Sequence, residues 1–364
     1  MVNVYDGNLT SKMRVRKTFA HEKTDRVPIN YFSNHTVHMR FAKALGVPDG
    51  DHEQVLRRLG ADFRMVNPRY TGPELFAQIE NRHVDALWGD HSRWVANDYG
   101  GYWDYCDFPL IEADEETVAG WPTPNPDDFD YEGTLDYCKA MKDFGLHAGN
   151  PGMADILNSN GKLRGVEQTL VDFITDNPAG LLLTDKRTES NLGMLDRLLA
   201  KCGEYIDFVW IGEDLGSQHC PLISMELYRK HLKPRHMRFI ECAKSYGKPV
   251  MIHTCGSSSW VYEEFIEMGI SAVDTLQPEA TNMDPKYLKQ NFGGRLSFHG
   301  CISTAGPLAY GTADETAACV KETLGIMMPG GGYFLSPTHS IQDNTPTENL
   351  AAMYNTAHEY GRYK

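Results

Sequence analysis

This chain has no apolar run approaching the roughly 18 residues that a membrane-spanning helix needs. No Lys/Arg cluster stands out either. With 35 basic against 49 acidic residues its net charge is −14, which disfavours nucleic acid and anionic membrane surfaces as partners. Eight cysteines in 364 residues are too few and too scattered for a disulfide framework. The first residues lack the apolar core of a secretory signal, so the expected setting is a reducing cytoplasm. In that setting Cys138, Cys202, Cys242 and Cys319 read as small buried hydrophobes. There is no Gly-x-Ser-x-Gly elbow, and no Gly-rich phosphate loop leads into a helix. Gly330-Gly331-Gly332 precedes an apolar run and reads as a turn.

What is present is an alternation. Short apolar runs recur at 27–33, 63–67, 146–149, 206–212, 249–255, 272–276, 296–302 and 333–337. Helical patterns separate them, and several open on recognisable starts. Thr312-Ala313-Asp314-Glu315 and Thr345-Pro346-Thr347-Glu348 read as capping boxes, and Asp284-Pro285 as a third helix start. Eight strands with intervening helices predict a single-domain α/β protein, a (β/α)8 TIM barrel over 1–364. One stretch, roughly 86–125, breaks the pattern with its load of Trp, Tyr, Gly and Asp. It is expected to be an insertion after the second run, folded as a lid over the barrel mouth. Trp94, Tyr99 and Trp103 are then candidates for contact with substrate.

Barrel active sites lie at the C-terminal ends of the strands. Polar residues at the ends of the runs are therefore the candidates. Asn30, His35, Glu213 and Asp214 are expected in catalytic roles, and Tyr31, His147 and Gln277 in binding. The densest signal is Val250-Met251-Ile252-His253-Thr254-Cys255-Gly256. Side chains alternate along a strand, so His253 and Cys255 face the same way. As a bare dipeptide pattern, this is equally a core Cys beside a hydrogen-bonded His. At a strand end in a barrel it also offers two of the three ligands of a catalytic zinc. His339, Cys301 and Asp274 compete for the third place.

Several segments together resemble the uroporphyrinogen decarboxylase-like superfamily across nearly the whole chain. They are Asp25-Arg26-Val27-Pro28, Gly212-Glu213-Asp214-Leu215-Gly216-Ser217-Gln218, His253-Thr254-Cys255-Gly256, Gln277-Pro278-Glu279-Ala280, the run from Gly330 to Pro337, and Thr345-Pro346-Thr347-Glu348-Asn349. The resemblance implies a (β/α)8 barrel and one of two chemistries. The first is cofactor-free decarboxylation, for which the family carries an Arg-rich segment after the first strand. Here that place reads Tyr31-Phe32-Ser33-Asn34-His35. A substrate with many carboxylates would lack its partners. The second is methyl transfer with zinc held by His-x-Cys and a distant Cys of the last strand. Here that place holds Thr338-His339, which makes His339 the favoured third ligand. No Asp-x-His-x-x-Gly corrinoid-binding segment occurs, so a corrinoid would arrive on a separate protein. The resemblance thus implies a zinc-dependent methyltransferase. Its partners would be a small methylated substrate or thiol and a corrinoid protein; the sequence leaves open whether the chain also forms a homo-oligomer. The alternatives are a decarboxylase of a smaller acid, using Asn30, His35 and Glu213 in a metal-free pocket, and a non-catalytic ligand-binding barrel.

Overall fold

The computed structural model describes residues 2–364. Seven parallel strands lie side by side in chain order: β1 (Phe63–Val66), β2 (Gly145–Gly149), β3 (Phe208–Gly212), β4 (Val250–Thr254), β5 (Ala272–Thr275), β6 (Ser297–Ile302) and β7 (Tyr333–Pro337). The extended segment 27–33 closes the cylinder. Leu335 N–H donates to Pro28 O (2.9 Å) and Asn30 N–H to Leu335 O (3.0 Å). On the other edge Asp62 N–H donates to Ile29 O (2.8 Å). All eight apolar runs of the sequence are thus staves of one α/β barrel.

The strands read as continuous apolar runs because both faces are buried. Phe208, Trp210, Met251, Ala272 and Phe334 point inward with Phe63. Their neighbours Val209, Ile211, Ile252, Val273 and Leu335 point outward to the helices. Phe19, at the end of α1 (Ser11–Phe19), plugs the bottom of the barrel, its ring 5.0 Å from those of Phe208 and Phe334. Burying each of these large side chains contributes about 1.5–3 kcal/mol.

The predicted helix starts fare differently. Thr312 and Glu315 form a reciprocal capping box at Ala313–Met327, and Asp284 caps Pro285–Phe292. The helix Thr347–Tyr360 starts without a side-chain cap, on Pro346. Thr345 is instead buried in the preceding turn, where its carbonyl accepts from Arg40.

Between β1 and β2 the chain adds an antiparallel unit whose longest strands are His91–Val95 and Tyr102–Cys106. Trp94 and Trp103 are cross-strand partners with ring centroids 5.5 Å apart. Three further helices position the site: α2 (His35–Ala44), α3 (Ile156–Arg164) and α4 (Pro178–Cys202). The unit is anchored on α4. There the Arg187 guanidinium lies 4.1 Å over the Trp88 ring, and Lys186 donates to the carbonyls of Val118, Ala119 and Trp121. Its tip reaches the start of α2, where a Cβ added at Gly100 would lie 3.4 Å from Thr36 Oγ1.

Candidate metal centre

Register builds the centre of the site. Asp274 on β5 is the paired neighbour of His253 on β4 and of His299 on β6. Equal positions on parallel neighbours share a face, so all three side chains enter the barrel at one level. Asp274 is fully buried and divides its carboxylate between the two imidazoles. Oδ2 accepts from His253 Nδ1 (2.5 Å) and Oδ1 from His299 Nδ1 (2.6 Å). Burial would favour the protonated acid, but the two imidazoles outweigh it and hold the Asp274 pKa below the ordinary value.

With Nδ1 committed, His253 presents Nε2 toward the mouth. Cys255 Sγ lies 3.3 Å from it and Asp214 Oδ1 3.7 Å. Ligand atoms of Asp214, His253 and Cys255 all fall within 4.8 Å of one another. Asp214 is held there from two sides: Oδ1 accepts the backbone N–H of Cys255 (2.8 Å), and Oδ2 accepts from Asn158 Nδ2 of α3 (2.9 Å). Burial opposes charge on His253, yet Cys255 and Asp274 push its pKa well above the ordinary value. Burial also raises the Cys255 pKa, against the pull of His253. The donor set is one imidazole, one thiol and one carboxylate, with a second carboxylate behind the imidazole. That set suits zinc, and the buried carboxylate on the far ring nitrogen is the usual support of a metal-bound histidine.

The third member is Asp214, where the sequence favoured His339. The reason is alternation beyond β7: Thr338 takes the buried position and His339 the exposed one, its Nδ1 accepting from Gln342 Nε2 (3.2 Å). Cys301 stands apart as well. Gly300 (φ 119°) and Cys301 (φ 75°) break the strand alternation, and the thiol sits in the outer core near Cys319. Burial pushes its pKa far up. Asp274 is in the site as a support for His253, not as one of the three converging ligands.

Glu213, next to Asp214, turns the other way. It is fully buried and accepts the backbone N–H groups of Ile156 (3.0 Å) and Leu157 (2.9 Å) at the start of α3. It braces the helix that carries Asn158. His35 is exposed at the first turn of α2. Asn30 enters the barrel and donates to His299 Nε2 (3.2 Å).

Two cavities open at the strand ends. One, of about 530 Å³, is lined by Asn30, Tyr31, Phe63, Tyr137, His147 and Trp210. Burial lowers the His147 pKa to about 4, and its ring stacks on Phe208. Burial raises the Tyr31 pKa to about 12. The other cavity, of 330 Å³, is walled by Cys255, Gln277, Glu279, Ser303 and His339. Trp94, Tyr99 and Trp103 line neither. These residues are 51%, 55% and 52% exposed. Cation supply for an acidic substrate is thin. Arg64, the arginine of the aromatic cavity, is paired with Glu53 (2.6 Å), and Arg40 donates to the carbonyls of Asp343 and Thr345.

Sequence reasoning missed Asn158, and it offered His299 as a strand-end candidate while leaving its facing open. The Asp155-x-x-Asn158 spacing, in which Asp155 Oδ1 caps α3 (3.2 Å from Asn158 N), was the available signal for the first. The strand period was the signal for the second.

The uroporphyrinogen decarboxylase (URO-D) family profile matches residues 153–360, more than half of the chain and all of the centre just described. The chain belongs to this family. No curated protein matches it. Among solved structures, a methyltransferase from Methanosarcina mazei is similar in fold, with a TM-score of 0.66 over 97% of this chain and 99% of that one, at 19% identity.

Proposed function

We propose that this member of the family is a zinc-dependent methyltransferase, moving a methyl group between a small methylated substrate or thiol and a corrinoid carried on a separate protein. The observation that carries the reading is the convergence of His253 Nε2, Cys255 Sγ and the Asp214 carboxylate within 4.8 Å, with Asp274 behind the imidazole. Bound there, zinc would supply Lewis acidity that stabilises negative charge on the heteroatom losing or gaining the methyl group. His253, Cys255 and Asp214 would hold it. Asp274 fixes which imidazole nitrogen carries a proton and so keeps Nε2 free as a donor. Asn158 and the Cys255 amide keep Asp214 from swinging into solvent. Phe63 and Trp210 pack edge-on against His299, behind Asp274. A corrinoid brought to this mouth by its carrier protein would supply the cobalt that takes up or gives up the methyl group. The substrate heteroatom held at the centre would keep the bonding pair on demethylation and give it on methylation.

The test is the zinc-loaded protein with free methylcobalamin and a panel of small thiols, followed by the visible spectrum of the cobalamin. Thiol-dependent demethylation that disappears in Cys255→Ala supports the reading. Zinc-loaded protein inert in this assay and in the reverse assay, cob(I)alamin with methyl ethers and methyl thioethers, would overturn it.

A further inference from the structure

The barrel interior holds a hydrogen-bonded chain whose proton positions are fixed from one end. The anchor is the backbone N–H of Tyr31, which can only donate. It donates to Asn30 Oδ1 (2.9 Å). The amide orientation of Asn30 follows, so Nδ2 is the group that donates to His299 Nε2 (3.2 Å). His299 Nε2 is thereby an acceptor, and the ring proton sits on Nδ1, which donates to Asp274 Oδ1 (2.6 Å). The other oxygen of Asp274 is left for His253 Nδ1 (2.5 Å). The Asn30 backbone is tied down as well, because its main-chain carbonyl accepts the Tyr354 hydroxyl (3.0 Å). His299 cannot turn, because it is fully buried with the rings of Phe63 and Trp210 edge-on to it at 5.5 and 5.1 Å.

We infer that Asn30 and His299 are positioning residues for the metal centre, acting on it through Asp274. A carboxylate with one oxygen given to His299 can turn only its other oxygen to His253. Without His299, Asp274 is free to rotate, is left with an unpaired buried lone pair, and no longer dictates the His253 tautomer. The same chain begins at Asn30 and Tyr31 in the wall of the aromatic cavity, so it joins that cavity to the centre through the protein interior. The inference rests on the zinc reading above.

The experiment measures zinc affinity by competition with a chromophoric chelator for wild type, His299→Leu, His299→Asn and Asn30→Leu. The asparagine places an N–H donor near the Nδ1 position. Affinity should fall at least about tenfold in His299→Leu, be largely restored in His299→Asn, and fall less in Asn30→Leu. Selective 15N-histidine NMR of the metal-free wild type should show His299 protonated at Nδ1 and bare at Nε2, a readout that survives even if the leucine variant misfolds. A wild type that binds no zinc overturns the metal reading and this inference with it. Normal zinc binding by wild type with unchanged affinity in a folded His299→Leu, equal losses in the Leu and Asn variants, or a His299 protonated at Nε2, overturns the inference alone.

Discussion

Asp274 and His253 face each other across neighbouring strands at the same register position, and Asp274 Oδ2 takes the Nδ1 proton of His253 at 2.5 Å. Strand pairing alone brings them together. If that contact orients a metal-bound imidazole, Asp274→Asn should lower zinc affinity about 10- to 100-fold while the protein stays folded. Chelator competition and circular dichroism check the two halves of this statement.

The identity of the third ligand separates two sets of variants. Asp214→Ala should strip zinc during dialysis against a weak chelator, because only His253 and Cys255 remain. His339→Ala and Cys301→Ala should keep their metal, since one side chain is exposed and the other lies in the outer core. Metal analysis after dialysis decides it. Retention by Asp214→Ala together with loss in His339→Ala would restore the ligand set first read from the sequence.

Buried carboxyl groups beneath the site give stability a pH dependence. Burial raises the pKa of Glu213 to about 8, and burial together with Glu213 and Asp214 raises that of Asp155 to about 8. Both are raised above their unfolded values, so the native state retains a proton that the unfolded chain has lost. The stabilisation is complete below about pH 4 and is lost as pH rises through about 8. For a single retained proton the slope is about 1.4 kcal/mol per pH unit. Urea midpoints between pH 5 and 9 should fall with rising pH. Glu213→Gln, which has no proton to lose, should flatten the fall. A midpoint that climbs over this range would contradict the assignment.

Uroporphyrinogen should not be decarboxylated. Its many carboxylates need cations, and the arginine of the aromatic cavity is already engaged with Glu53. Product analysis under anaerobic conditions should show no acetate-to-methyl conversion above the protein-free control. Turnover at an enzyme-like rate would show that cations reach the substrate by a route absent from this arrangement.

Much of this architecture was legible in the sequence for a simple reason. Strands buried on both faces must be apolar throughout, so 206–212 or 249–255 stand out without help. The period of two placed His253 and Cys255 together. The same period failed at Cys301, where two successive left-handed residues invert the face. Asp214 was expected in a catalytic role but not as a ligand, because its aim depends on partners distant in sequence, Asn158 and the Cys255 amide. Its neighbour Glu213, identical in charge, faces a helix start instead. The aromatic hairpin was recognisable as an insertion. Which of its faces meets solvent was set by its anchorage on α4, and composition carries no trace of that.

The proposed centre is a zinc ion held by one nitrogen, one sulfur and one carboxylate. Zinc K-edge X-ray absorption on protein purified after growth with zinc tests it most directly. About one zinc per chain is expected, with a single sulfur at about 2.3 Å and the remaining nitrogen and oxygen ligands at about 2.0–2.2 Å. A shell with no sulfur or with two, or protein holding less than about one-tenth of an equivalent of metal, would contradict it.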